Sequence, residues 1–413
     1  MGRLKTYVNR YTRNARFYLL NGFVSFFTMS AFSILLGIYF KEKHYAESFV
    51  GMILSMQMVA MGIGSIPSAW LLNRIGSKKS FIGSLLLIAI GGLGQAGTNQ
   101  EILVVFFAIL YGFGFSVQFT GEPPFLTDNS TPMERMSLFS LNFVLKNIAM
   151  MLGNFATGYV SDYLKLFMDN AKATQLILIG CSLLALTGIY PLLKIEESTV
   201  ASYEGSDLLS DFKKMMCQPV VVLYLVYNAL IGLGAGMVVP FFSVYLKYSL
   251  HIDDGVVGGI LSFSQLGTVI GGMLIPLLVK KLGKPQVVVL CQILSIPFLL
   301  SIAFPQGLIL VTLSFFMRSS LMNMAQPVLQ ELSMNLVEKD CRAAFSSFLA
   351  LSNNILRGVG VFLGGMLMER FTYHTPYYFT VFMYFVGTIL FMMVFMRDAL
   401  WKTKGYFEKH KIM

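Results

Sequence analysis

Apolar residues in this chain neither alternate strictly nor mark out a single helical face. They run in long blocks, broken by short clusters of charged, Gly and Pro residues. A helix needs about 20 mostly apolar residues to cross a hydrocarbon core of about 30 Å, so uncharged blocks of that length predict membrane spans. Twelve blocks satisfy this, near residues 16–40, 47–72, 79–98, 101–125, 137–162, 173–194, 219–246, 253–279, 285–304, 307–332, 343–369 and 375–396. The fourth and tenth are interrupted by Glu122 and Arg318. The first follows Arg3, Lys5, Arg10, Arg13 and Arg16, the flank that also opens a signal peptide. Its length and the lack of a small-residue cleavage site predict a retained first helix. The expected fold is an all-α membrane protein.

Composition agrees. Of 413 residues, 55% are hydrophobic and 13% charged, with a mean hydropathy of +0.68. A soluble domain carries roughly 25% charged residues. This excludes a soluble enzyme, a nucleic-acid-binding domain and a secreted disulfide scaffold. The net charge of +10 is explained by cytoplasmic loops that retain Lys and Arg. With an even number of spans both termini share a side. The terminus-side segments hold 22 Lys and Arg and the opposite loops hold 6, namely Lys41, Lys43, Lys165, Lys172, Lys247 and Arg370. That asymmetry predicts cytoplasmic termini and residence in the inner or plasma membrane. Cys181, Cys217, Cys291 and Cys341 show no CxxC spacing, and His44, His251 and His374 are scattered near outer loops. No metal site or cofactor is expected. No Gly-Lys-Ser/Thr phosphate loop and no Ser/His/Asp set is recognisable, so neither an ATPase nor another enzyme is expected.

The chain also repeats itself. At an offset of 207 residues, Val50–Ser55 falls on Val257–Ser262, Gly64 on Gly271, Arg74-Ile75-Gly76 on Lys281-Leu282-Gly283, and Asn21 on Asn228. Further along, Arg135 falls on Arg342, Asn147 on Asn354, Gly153 on Gly360, Gly158 on Gly365 and Asp162 on Glu369. One offset serving every region predicts two pseudo-symmetric six-helix bundles, residues 1–194 and 219–413. The polar stretch 195–218, with Glu196, Glu197, Asp207, Asp211, Lys213 and Lys214, joins them as a cytoplasmic linker. Repeated halves of this kind are a transporter architecture, with the solute held near the midplane between them.

The stretch from Gly64 through Asn73-Arg74-Ile75-Gly76-Ser77-Lys78-Lys79 resembles the loop 2–3 signature of the major facilitator superfamily, a Gly followed by Asp-Arg-x-Gly and two basic residues. Gly271 to Lys284 is its degenerate partner, and the Pro124…Arg135 and Pro327…Arg342 stretches resemble the family's loops 4–5 and 10–11. The resemblance covers nearly the whole chain. It implies a gating role for Gly64, Asn73, Arg74, Gly76, Lys78 and Lys79. Asn73 stands where the family has an acid; it can hydrogen-bond a neighbouring helix end but cannot form an ion pair. The drug/proton antiporter branch has an Arg ahead of a Gly-x-Gly in helix 4 and a Pro in helix 5. Ala108–Gly114 and Gly153–Gly158 contain neither, which argues against that branch.

Five charges fall inside the spans: Glu122, Lys146, Arg318, Glu331 and Arg357. Each costs about 2.5–3.5 kcal/mol at the bilayer centre unless a partner, water or a function compensates. At about 1.5 Å per residue, Lys146 is about 16 Å past Arg135, Arg357 about 22 Å past Arg342, and Glu122 about 9 Å from its helix end. Glu331 reads as a solvated helix end. Helices 4, 5, 10 and 11 line the cavity in the family's fold, so the resemblance places Lys146, Arg318, Arg357 and Glu122 around it. A Glu122–Lys146 ion pair locking helix 4 to helix 5 is the structural alternative. Arg318 and Arg357 have no acid at their depth, and a guanidinium fork fits carboxylate or phosphate. Glu122 is the candidate proton carrier, because burial and the Lys146 cation oppose each other in setting its charge. Asn21, Asn228, Gln57 and Gln265 are secondary substrate-binding candidates, or amides joining helices. The expected function is secondary transport of a small anionic or amphiphilic solute by alternating access, with protons and lipids as partners, no nucleic acid, and a monomeric state. Proton-driven multidrug efflux is the first alternative. A non-transporting sensor or a lipid flippase on the same fold is the second.

Overall fold

The computed structural model describes residues 11–196, 218–304, 307–337 and 342–396. The linker expectation therefore falls largely outside the described residues, as do Cys217 and Cys341. No strand occurs among the described residues. Among the described residues eleven helices are long and apolar enough to cross a membrane, and a bent pair makes a twelfth; the first half has α1 (Arg13–Glu42), α2 (Glu47–Ile63 with Ser65–Ile75), α3 (Ser77–Gly97), α4 (Glu101–Asp128), α5 (Pro132–Lys165) and α6 (Asn170–Leu193). The second half has α7 (Pro219–Ser249), α8 (Asp254–Leu282), α9 (Lys284–Ala303), α10 (Leu308–Met334), α11 (Arg342–Arg370) and α12 (Thr375–Phe395). Each matches one apolar block.

Four spans are not continuous α-helices; in α6 a 3₁₀ turn, Leu186–Gly188, interrupts the helix. The two segments of α2 meet at Gly64 with a bend of 49°. The ring of Pro67 crowds the Ile63 carbonyl four residues earlier, which breaks the helix there. A Cβ on Gly64 would sit 2.4 Å from the Ala60 carbonyl oxygen, so only glycine closes the bend. In α10, a break at Ala325 is followed by Pro327 in the first turn of the next segment. In α7, Pro240 lies in a 3₁₀ turn, Val239–Phe241, and a π-turn follows at Tyr245–Ser249.

The duplication is written into the backbone. Gly76 and Gly283, 207 residues apart, each join two helices with φ of 86° and 92°. A side chain is disfavoured there. His44 and His251, also 207 apart, take φ of 64° and 54°. After α1 the amides of His44 and Tyr45 donate back to the carbonyls of Lys41 and Phe40, closing the helix end. The Tyr39 hydroxyl donates to the Ala96 carbonyl at 2.7 Å, and the Tyr245 hydroxyl to that of Ile302 at 2.5 Å. Those tyrosines are 206 apart, not 207. The π-turn of α7 takes up the extra residue before His251.

The halves meet along two pseudo-symmetric seams, α2 against α11 and α5 against α8. The repeat-related glycines Gly158 and Gly365 sit at close approaches of these seams. A Cβ on either would come within 2.5 Å of a carbonyl oxygen, that of Asp254 or Glu47. Small residues let backbones touch where lipid gives no hydrophobic drive.

Candidate functional site

In the first half, α4 carries Glu122 and α5 carries Lys146 to the same depth, and the two form the ion pair of the structural alternative. The Tyr18 hydroxyl of α1 donates to the same carboxylate at 3.1 Å. The Lys146 ammonium also lies 4.4 Å from the ring centre of Phe26 and 5.7 Å from that of Phe119. Two aromatic faces and one carboxylate thus hold a cation that is 9% exposed. The group is neutral overall and ties α1, α4 and α5 together.

In the second half the balance differs. Arg318 on α10 is 5% exposed. Its Nη2 donates to the Tyr384 hydroxyl of α12 at 3.2 Å, and its guanidinium lies 5.0 Å from the ring centre of Phe242 on α7. Arg357 on α11 is half-buried, with its Nε shielded from solvent. Neither arginine pairs with a carboxylate among the described residues. Tyr18, Tyr384 and Phe242 lie inside apolar blocks, where nothing in the sequence separates a polar partner from a packing ring.

The four amides are placed differently from one another. Asn21 is fully buried in a chain that runs to Gln118 at 3.2 Å and from Gln118 to Ser84 at 2.7 Å. Gln57 donates to Gln95 at 2.7 Å. Asn228 donates to the Leu349 carbonyl at 3.3 Å and accepts from Asn353 at 3.4 Å. These three join neighbouring helices. Gln265 is half-buried, with no side-chain hydrogen bond among the described residues.

Of the loop 2–3 residues, Gly64 sits at the bend of α2 and Gly76 at the turn into α3. Asn73, Arg74 and Lys79 are exposed. Arg74 stacks 5.0 Å from the ring centre of Trp70. The helix-end contact open to Asn73 is made instead by Lys78, whose ammonium donates to the Leu193 carbonyl at the end of α6 at 2.8 Å. Asn73 projects from the solvent face of its helix and makes no side-chain hydrogen bond among the described residues. Glu331 pairs with Lys284 at an exposed helix end.

The largest group of charges lies elsewhere, on the face opposite the termini. There Asp254, at the start of α8, accepts from Lys165 of α5, from Lys247 of α7 at 2.5 Å and from Ser161 at 2.7 Å. Glu42, at the end of α1, accepts from Lys165 at 2.6 Å and Lys247 at 2.9 Å. Two carboxylates and two ammonium groups from both halves thus form one closed ring. Around it, Asp162 accepts the amides of Asp254 and Gly255 at 3.1 and 2.7 Å, at the N-terminus of α8. Its repeat partner Glu369 accepts the Ser48 amide at 3.0 Å, at the N-terminus of α2. Each carboxylate faces the positive end of a helix from the other half. Sequence reasoning assigned Lys165 and Lys247 to solvated loops. Lys247 is 7 residues from Asp254, but the other pairings span 89 to 205 residues, and no local signal marks the ring as a whole.

The family model described as Major Facilitator Superfamily matches residues 18–232 and 224–409. A nucleoside transporter, NupG, superposes with a TM-score of 0.76 at 15% identity, over 93% of this chain and 99% of that one. A bacterial homologue of the human lysosomal transporter Spinster, inward-facing and unoccupied, gives 0.75 at 11% identity over 95% and 98%. The E. coli xylose transporter XylE, in a partially occluded inward-open conformation, gives 0.70 at 13% identity over 92% and 99%. A Bacillus subtilis (strain 168) protein named for metabolite transport, YwtG, is 29% identical over 128 residues. That match covers 31% of this chain and only 27% of YwtG. The family model spans both six-helix halves, and the chain belongs to the Major Facilitator Superfamily.

Proposed function

We propose that this multi-pass membrane transporter of small solutes carries an organic anion or anionic amphiphile across the cell membrane by alternating access. Both termini are assigned to the cytoplasm on the 22-to-6 distribution of Lys and Arg. The observation that carries the reading is the pair Arg318 and Arg357, deep in the second half, each with a shielded Nε that has no partner. A buried guanidinium without a counter-ion is costly, and an anionic solute supplies the missing charge and acceptors. Lys146 is already matched by Glu122 and contributes cation only when that pair opens. Glu122 is the coupling residue in this scheme: separation of the pair on opening lets the carboxyl take up a proton.

The hydrogen bonds that join the halves lie in the half of the membrane away from the termini. With cytoplasmic termini, this is the inward-facing arrangement. The test is a thermal-shift screen of purified protein against succinate, benzoate and tetraphenylphosphonium, followed by flux in proteoliposomes. A bound ligand raises apparent stability by mass action. Stabilisation by an organic anion, lost in Arg318→Gln and Arg357→Gln, is the expected result. Glu122→Gln is expected to abolish uptake driven by a pH gradient. Stabilisation by tetraphenylphosphonium that ignores both arginines and is lost in Glu122→Gln would replace this reading with multidrug efflux.

A further inference from the structure

Buried polar groups are nearly always hydrogen-bonded, and each exception needs a cause. Three exceptions occur in the second half: Nε of Arg318, Nε of Arg357 and the hydroxyl of Tyr377. They come from α10, α11 and α12. Arg318 lies over Phe242 and Tyr377 against Tyr245, one turn apart on α7, and the backbone of Arg357 packs on Gly236 of the same span, so the three groups surround one stretch of α7. Tyr377 is completely buried, its ring 4.9 Å from that of Tyr245.

The remaining capacity of Arg318 is spent on holding it in place. Its Nη2 is given to Tyr384 and its face to Phe242. What the cluster leaves over is N–H donors on two guanidiniums and one O–H donor, with no carboxylate to receive them. Unpaired donors cost about 1–3 kcal/mol each, and more when charged. Water can satisfy them singly but does not offset two positive charges. The fitting ligand accepts only, carries negative charge, and has several acceptor atoms for donors that arrive from three helices. A carboxylate or a phosphate meets all three conditions, since each of its oxygens accepts on two lone pairs. At the offset of 207 the positions matching Arg318 and Arg357 are Tyr111 and Met150, so the duplicated half has no such site.

We propose that Arg318, Arg357 and Tyr377 form a buried oxyanion site within the second half, with Tyr384 as the residue that positions Arg318. The proposal rests on the anion-transport reading and deepens it: Tyr377, on the last helix, becomes a residue that sets specificity. The oxyanion is either the solute's own carboxylate or phosphate group or a free inorganic anion.

Tyr377→Phe removes one hydroxyl and keeps the ring. Full-length protein and this variant are titrated with succinate and with inorganic phosphate by thermal shift, and succinate uptake is measured in proteoliposomes. A hydrogen bond to a charged acceptor is worth enough that its loss weakens binding about 10-fold or more. The expected result is that loss in the apparent affinity for an oxyanion, with the ligand-free melting temperature unchanged. A loss seen for succinate in both binding and uptake assigns the site to the solute. A loss seen for phosphate alone, with uptake unaffected, assigns it to a resident inorganic anion; both outcomes support the site. Unchanged affinity for both anions in Tyr377→Phe, where Arg318→Gln weakens it, overturns the site and leaves anion transport standing. Stabilisation by tetraphenylphosphonium and by neither anion removes the anion-transport reading and the site together.

Discussion

The ring of charges opposite the termini offers the most direct test of how this protein changes shape. The perturbation is Asp254→Asn. The Asp254 side chain is completely buried and receives Lys165, Lys247 and Ser161. Asparagine keeps the shape and can still accept from Ser161. It leaves two ammonium groups facing one carboxylate, that of Glu42, which is 6% exposed. Removing one partner of a buried ion pair costs about 3–5 kcal/mol. The ring joins α1 and α5 of one half to α7 and α8 of the other, so it is complete only when this face is closed. The cost therefore falls on the closed state and not on the fold as a whole. At about 1.4 kcal/mol per tenfold, the balance shifts toward opening by about 100-fold to a few thousand-fold. Lys165 and Lys247 are 13% and 17% exposed, so solvent screening places the effect at the lower end. Spin labels at Lys172→Cys and Arg370→Cys, two exposed positions in different halves on this face, read the separation by pulsed electron resonance, with the native cysteines replaced. The expected result is a new, longer distance in Asp254→Asn that is absent in the exposed control Asp253→Asn. An unchanged distance distribution in a folded Asp254→Asn protein would refute the argument that these charges close the face.

Two further outcomes follow from the same end of the molecule. Gly158→Ala and Gly365→Ala each drive a methyl group to within 2.5 Å of a carbonyl oxygen across a seam. Overpacking of this kind costs about 1–3 kcal/mol, and both variants should slow transport and lengthen the labelled distance, whereas Gly180→Ala, with open space around it, should change neither. His374, at the N-terminal end of α12, has its pKa lowered from the ordinary 6.5, chiefly by burial, and its Nδ1 lies 3.3 Å from the Tyr245 hydroxyl. The native state thus favours the neutral ring, and the stability this gives is present above pH 6.5 and lost as the pH falls through the lowered value. The melting temperature should fall on acidification from pH 7 to pH 5, by less in His374→Gln; equal falls would show that His374 contributes nothing to the dependence.

What the sequence reveals here depends on the range over which each signal acts. The twelve spans are legible because a membrane imposes a length and a composition on every one of them. The duplication is legible because one offset recovers Gly76 with Gly283 and Gly158 with Gly365, and the structure gives those pairs equivalent roles. The Glu122–Lys146 pair is within reach because depth can be counted from each helix end. Breaks are harder. Pro67 follows a bend and Pro327 a break in its span, yet Pro276 sits inside an α8 that runs unbroken, so the residue alone does not decide. The ring of Glu42, Lys165, Lys247 and Asp254 is least legible, because each residue taken alone resembles a solvated helix end. Only the crossing of four helices turns them into one buried group.

The two kinds of signal also divide the labour of the transporter. Closure is built from what the duplication copied. Gly51 with Gly365 and Gly258 with Gly158 line the two seams, and Asp162 and Glu369 face the N-termini of α8 and α2 across them. A symmetric closure suits rigid halves that rock about a common centre, because neither seam resists more than the other. The deep charges break that symmetry. The first half holds a neutral pair, Glu122 with Lys146, while the second holds two cations without a carboxylate. The deep interior is therefore polarised between the halves. The π-turn in α7 takes up one of the departures from the repeat, and it falls in the segment that brings Lys247 to Glu42 and Asp254. A departure from exact repetition thus lies in the span that carries one lysine of the closing ring.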